Sequence, residues 1–226
     1  MRVVSYNVHA CIGSDGKFAP DRIADVLALL DADLIALQEV EDRIVDGRPV
    51  TELLADRLGM HAYSGPTLKR SRADYGNLLL ARPAADAILM HEISVPRREP
   101  RGIIEADFGL DDTQLRMFVT HLGLSGAERR KQLDLLLSVM DRDGADVRVL
   151  AADFNEWFPI GRLHRRLGRN FGRSTRHKTF PAPLPVLGLD RIYVAPAAAL
   201  KSSRVERSKL ARNASDHLPV VCELAI

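Results

Sequence analysis

Short apolar runs, each with a polar residue at one tip, recur along this chain, and no other feature narrows its possible folds as far. Val3–Tyr6 leads into Asn7, Leu34–Leu37 into Gln38 and Glu39, and Met117–Val119 into Thr120 and His121. Val147–Ala151 runs toward Asp153 and Asn155, Asp190 precedes Ile192–Val194, and Ser215-Asp216-His217 opens Leu218–Val221. Runs this short, rich in β-formers and bounded by charge, read as buried strands. Buried carboxylates are costly unless paired or bound to a cation. Scattered over random strand ends they would burden the fold. The pattern therefore predicts that the tips meet at one rim.

The tips differ in chemistry. Asp153 and Asn155 are two apart, so on extended backbone both side chains leave on the same side. A carboxylate and an amide aimed together can hold and activate a water molecule; the same D-x-N pattern also begins ordinary turns. Asp190 and the Asp216-His217 pair offer a carboxylate beside a histidine, which fixes the tautomer, keeps the ring protonated and suits contact with a phosphate oxygen. The competing reading of Asp216-His217 is a plain strand cap. His121 is read as a second phosphate contact or as the acid for a leaving group, against the alternative of a simple strand end. Asn7, Glu39 and Asp216 supply hard oxygen ligands of the kind Mg²⁺ takes together with waters and substrate phosphate. Cysteine and histidine never fall at zinc spacings. Tyr75 and Asn77 share a face ahead of Leu78–Ala81 and either reach a substrate oxygen or pack. Arg101, before Gly102, is a phosphate clamp or an exposed charge.

Between these runs lie helical pieces. Pro20 opens an amphipathic helix over 20–31, with Ile23, Val26, Leu27 and Leu30 at helical spacing. Thr51 caps a short helix to Leu58 that Gly59 ends. Ser125 and Glu128 form a capping box for a helix over 126–140, with Leu133, Leu136, Leu137 and Met140 as its stripe. Further strands are expected near 60–64, 76–82, 86–93, 103–108, 114–120, 190–195, 200–206 and 217–225, and 157–188 reads as loop. Strand-helix-strand units mixed with hairpins predict an α+β fold of mixed sheets with helices outside. No Ser/Gly/Pro-rich linker divides the 226 residues, so one domain over 1–226 is expected.

A net charge of +2 argues against a generally basic nucleic-acid binder. Two cysteines are too few for a disulfide framework and read as reduced thiols. Without a leader or an apolar run of about 18 residues, the expectation is a soluble, cytoplasmic protein. From Trp157 to Leu189 there is no acidic residue, while Arg162, Arg165, Arg166, Arg169, Arg173, Arg176 and Lys178 lie there. That stretch is a solvated face or an anion-attracting rim.

Taken in order, SYNVH, LQEV, YGNLLL, EPRGI, VTHL, ADFN, LDRIYV and SDHLPV resemble the endonuclease/exonuclease/phosphatase superfamily, over residues 3 to 221. The resemblance implies a four-layer α/β/β/α sandwich and divalent-metal-dependent cleavage of a phosphate ester, with Mg²⁺ the usual ion and Mn²⁺ a substitute. It implies Glu39 as the main metal carboxylate, with Asn7 and Asp216 beside it. Asp153 is then the residue that activates water or assists the leaving group, and Asn155 orients it. His217, supported by Asp190, contacts phosphate; His121 matches a second histidine; and Tyr75, Asn77 and Arg101 line the substrate cleft. Two departures weaken a DNA-repair reading: His9 stands where abasic-site enzymes usually carry an acid, and the chain is short for the family. The expected activity is phosphodiester hydrolysis. The alternatives are a phospholipid, sphingomyelin or inositol-phosphate esterase, and a non-catalytic binding module. Expected partners are a phosphate ester such as nucleic acid or an anionic phospholipid head group; no protein partner is implied.

Overall fold

The computed structural model describes residues 1–69, 73–142 and 144–226. In chain order the strands are β1 (Arg2–Asn7), β2 (Leu34–Glu41), the short pair β3 (Ile44–Val45) and β4 (Arg48–Pro49), β5 (His61–Leu68), β6 (Tyr75–Ala81) and β7 (Ala87–Glu92). Then come β8 (Gly102–Leu110), β9 (Thr113–His121), β10 (Val147–Asp153), β11 (Arg173–Ser174), β12 (Asp190–Ala195), β13 (Leu200–Val205) and β14 (Val220–Leu224). The helices are α1 (Pro20–Leu30), α2 (Val50–Leu58), α3 (Gly126–Met140), α4 (Arg162–Phe171) and α5 (Lys209–Ala214).

Two six-stranded sheets carry the fold, ordered β13-β14-β1-β2-β6-β5 and β11-β12-β10-β9-β8-β7. Each is mixed: β1 and β2 are parallel in the first, β9 and β10 in the second, and their remaining neighbours are antiparallel. Strand alternation sorts the side chains into layers. Val3, Leu34, Ala36 and Leu79 of one sheet meet Ile104, Met117, Val119, Val149, Ala151 and Ile192 of the other in a core between the sheets. The alternate residues Val4, Tyr6, Ile35 and Leu37 face outward onto Ile23, Leu27, Leu54 and Ala211 of α1, α2 and α5. Phe118, Leu150 and Tyr193 likewise back onto Leu133, Leu136, Leu167 and Phe171 of α3 and α4. Four layers result, α/β/β/α, as the resemblance implies. Both cysteines are free and buried. No helix among the described residues is long and apolar enough to cross a membrane.

Local chemistry departs from expectation in four places. Helix α2 begins at Val50 after Pro49, and Thr51 does not cap it; Asp42 Oδ1 instead accepts from both the Thr51 amide and its hydroxyl, each at 2.9 Å. The stretch 157–188, expected as loop, contains α4, because Leu163, Leu167 and Phe171 recur at helical spacing beneath the arginines and bury against Tyr193 and Phe154. Helix α5 was also unexpected; at six residues it is too short to show a period, and Ser208 caps it by accepting from the Ala211 amide. The last strand starts at Val220, not 217, so Ser215-Asp216-His217 form a bend before it.

Candidate active site

The inward-facing rows of the sandwich end in polar residues. Along β9 the row Leu115, Met117, Val119 finishes at His121; along β10 the row Val147, Val149, Ala151 finishes at Asp153. On β12 the inward row of Ile192 and Val194 begins at Asp190. Register then does the rest, since Asp153 pairs with His121 on one side and with Asp190 on the other. Three functional groups on neighbouring strands thus stand abreast at one end of the inter-sheet core. From the facing sheet, Val3, Ser5 and Asn7 form the corresponding row.

Glu39 reaches the same place by breaking the alternation. Ile35 and Leu37 face the helices, so an unbroken β2 would send Glu39 outward with them. A register shift between Leu37 and Val40 inserts a bulge, and Glu39 takes a left-handed φ of 58°. Val40 is restored to the helix side, while Glu39 turns into the cleft. There Asn7 Nδ2 donates to Glu39 Oε1 and to Asp153 Oδ2, both at 2.9 Å. Tyr75, at the start of β6, hydrogen-bonds Glu39, and burial together with that carboxylate pushes its phenol pKa up.

The two histidines sit in opposite charge states. His217 Nδ1 lies 2.8 Å from Asp190 Oδ2 and its Nε2 lies 3.8 Å from Asp153 Oδ2. Burial disfavours its cation, but Asp190 and then Asp153 overcome that and hold its pKa up at about 10. His121 is pushed down to about 3, first by burial and then by Arg101 and His217, against the pull of Asp153. Hydrogen-bond geometry agrees: Arg101 Nη1 faces its Nδ1 at 3.4 Å and Asn155 Nδ2 faces its Nε2 at 2.9 Å. Both neighbours are donors, so a doubly protonated ring would set N–H against N–H on two sides. His121 is neutral at pH 7 and His217 is a cation.

Asn155 arrives at the site otherwise than expected. It lies beyond the end of β10 with φ of 50°, so it does not share an extended face with Asp153. Its backbone amide donates to Asp153 Oδ1 at 2.9 Å, and its side chain spans His121 and the Leu122 carbonyl. Asn77 donates to the Gly102 carbonyl at 3.2 Å, and Arg101, buried, pairs with Glu99 at 2.6 Å. Asp216 is half-exposed, 3.8 Å from His9 Nδ1. It joins neither of the groupings of potential metal ligands among the described residues, which are Glu39-His121-Asp153 and Asp153-Asp190-His217.

Ser215 Oγ donates to the Asn7 carbonyl at 2.8 Å. Two partners had no signal of their own in the sequence. Thr179 Oγ1 donates to Asp190 Oδ2 at 2.5 Å, and the Phe180 ring packs 4.9 Å from the His217 ring. Thr179 and Phe180 sit in an irregular, proline-rich stretch, where no period marks a residue's direction.

The donor set fits a hard divalent cation. Two carboxylates and an amide converge within hydrogen-bond reach, and the only ring within ion-pair distance of Glu39 among the described residues, His121 at 3.9 Å, carries no charge to neutralise it. Thiolates are absent, as a soft-metal site would not allow.

A family model described as Endonuclease/Exonuclease/phosphatase family matches residues 4–217. The uncharacterized protein YbhP of Escherichia coli K12 is 29% identical over 245 residues, an alignment that covers 99% of this chain and 95% of YbhP. Among solved structures, the mannosyl-6-phosphatase of Bacteroides thetaiotaomicron superposes with a TM-score of 0.81 at 18% identity, covering 100% of both chains. The human Nocturnin catalytic domain does so with a TM-score of 0.73 at 17% identity, covering 100% of this chain and 93% of that one. At these identities the structural likeness speaks for the fold alone.

Proposed function

The chain belongs to the endonuclease/exonuclease/phosphatase family, whose fold suggests phosphoester hydrolysis, and from that premise we propose that it is a divalent-metal-dependent phosphodiesterase acting by attack of an activated water. The observation that carries this reading is the abreast placement of His121, Asp153 and Asp190 across β9, β10 and β12, facing Glu39 and Asn7 from the other sheet.

Asp153 is the base that takes the proton of the attacking water. It is almost wholly buried, and the Asn7 side chain and Asn155 amide fix both its oxygens. His217, kept cationic by Asp190, turns an N–H toward the cleft and stabilises charge on the phosphoryl oxygens. His121, neutral, is positioned by Asn155 and Arg101 as a hydrogen-bonding partner; its depressed pKa argues against a cationic acid. Tyr75 and Asn77 border the substrate cleft, and Arg101 sets the electrostatics of its wall. Glu39 and Asn7 would hold the metal, with Asp216 contributing from the mouth beside His9. When bound, Mg²⁺ or Mn²⁺ supplies Lewis-acid stabilisation of the developing phosphoryl charge.

The test is hydrolysis of bis-p-nitrophenyl phosphate by purified protein with Mg²⁺. Activity should vanish in EDTA and return with metal, and Asp153→Ala should lose at least ~10²-fold in kcat. Hydrolysis by Asp153→Ala at the wild-type rate, or undiminished activity in EDTA, overturns the reading.

A further inference from the structure

Adjacent residues of β12 serve opposite faces of its sheet. Asp190 points into the catalytic cleft; Arg191, the next residue, points to the α4 side. There a pocket of about 210 Å³, open to solvent on one side, is bordered by α4, β11 and the 159–160 turn. Arg165, Arg173, Arg176 and Arg191 line it together with His164 and Ser174, and no acidic residue does.

Two of these groups are costly to bury as they stand. Arg191 is 4% exposed, and its guanidinium donates to the Pro159 carbonyl at 2.9 Å, yet its Nε has no partner among the described residues. His164 is 6% exposed; its Nδ1 meets the Tyr193 hydroxyl at 2.8 Å and its Nε2 has no partner either. None of the four arginines forms an ion pair with a carboxylate among the described residues. Arg173 Nη1 donates to the Leu200 carbonyl at 3.3 Å. Glu156, which pairs with Arg129 at 3.5 Å, attracts Arg191 less than burial and the neighbouring Arg176 disfavour its charge. A buried guanidinium without a counter-charge destabilises a fold unless a ligand provides one. Planar, bidentate arginine donors match phosphate oxygens.

We propose that this pocket is a second anion site, separate from the catalytic cleft, in which Arg165, Arg173, Arg176 and Arg191 bind a phosphate group. The group is either free orthophosphate or the phosphate of a lipid head group. The lipid source has a structural counterpart beside the pocket, where Trp157, Phe158 and Ile160 stand 65%, 72% and 72% exposed on the preceding turn. The inference does not depend on hydrolysis in the cleft.

Calorimetric titration with inorganic phosphate at fixed ionic strength tests it. His217→Ala removes anion binding in the cleft, and this variant should still bind phosphate. Adding Arg165→Ala and Arg176→Ala, both at exposed positions, should weaken that binding roughly 10-fold or more, as expected for lost charge-assisted hydrogen bonds. Undiminished binding in the arginine variant, or its complete loss with His217→Ala alone, overturns the proposal. Hydrolysis of a small diester should be unchanged in Arg165→Ala/Arg176→Ala, which separates this site from the catalytic one. Vesicles of phosphatidylcholine with and without phosphatidylglycerol distinguish the sources. Trp157 is the sole tryptophan, so a blue shift that requires the anionic lipid and both arginines assigns a head group; phosphate binding without that shift assigns the free ion.

Discussion

Replacing Asp190 by Asn should change both the stability of the protein and the pH dependence of its catalysis. Asp190 is completely buried, and His217, beside it, is 5% exposed. Burial alone would strip the ring of its proton; Asp190 at 2.8 Å is the largest opposing influence, followed by Asp153 at 3.8 Å, and Asp216 adds to them. With Asn at 190 the carboxylate is gone, and the ring should be neutral by pH 8. Removing one partner of a buried ion pair costs roughly 3–5 kcal/mol. For a chain of this size each kcal/mol moves Tm by about 2–4 °C, so Tm should fall by roughly 6–20 °C near neutral pH. The sign of the pH dependence follows from the raised pKa. The folded state holds the proton up to about 10 whereas an unperturbed histidine releases it near 6.5, so this stabilisation is complete below pH 6.5 and lost as pH rises toward 10. The Tm gap between wild type and variant should therefore be widest near pH 6 and close as pH approaches 10. In the bis-p-nitrophenyl phosphate assay kcat should drop on the order of 10²–10³-fold. The variant should also acquire a limb that falls with rising pH across about pH 6–8, where the wild-type ring does not titrate. A profile superimposable on wild type, together with a Tm gap that ignores pH, would refute the account of His217 as a cation held by Asp190.

Glu39→Gln removes the carboxylate that the β2 bulge turns into the cleft, so the rise in Tm that Mg²⁺ or Mn²⁺ gives wild type should disappear in a thermal-shift titration. An undiminished shift would place the ion elsewhere. Leu34→Ala, wholly buried between the sheets, should cost about 2–5 kcal/mol in urea unfolding while leaving the pH profile of kcat unmoved. His164, held neutral by burial with a pKa near 3, favours unfolding as pH falls from about 6.5, because only the unfolded chain takes up the proton there. His164→Gln should flatten that part of the acid limb, as followed by the urea midpoint between about pH 4 and 7.

Much of the architecture is written in local pattern. Alternation along β9 and β10 already assigns His121 and Asp153 to the same face as Val119 and Ala151, because a strand's side-chain period is fixed by its backbone. Ser125 Oγ caps α3 by accepting from the Glu128 amide, half of the expected capping box, while the Glu128 carboxylate accepts from Gln132 Nε2. Over 157–188 charge masks period: Leu163, Leu167 and Phe171 are spaced as a helix face, but arginines fill the intervening positions and no side chain caps the helix start. Thr179 carries no signal, since a hydroxyl's partner depends on which loop folds against it.

The sequence by itself determined the strands, the main helices and the chemical character of each strand tip, because these follow from periodicity and composition within a few residues. Only the tertiary structure decided that Glu39 faces the cleft and that Asn155 arrives there with left-handed backbone. It also decided that His121 and His217, alike as residues, hold opposite charges. Each of those outcomes turns on neighbours brought from elsewhere in the chain: the register of β6 against β2, the donors Arg101 and Asn155 around one ring, and the carboxylate of Asp190 against the other.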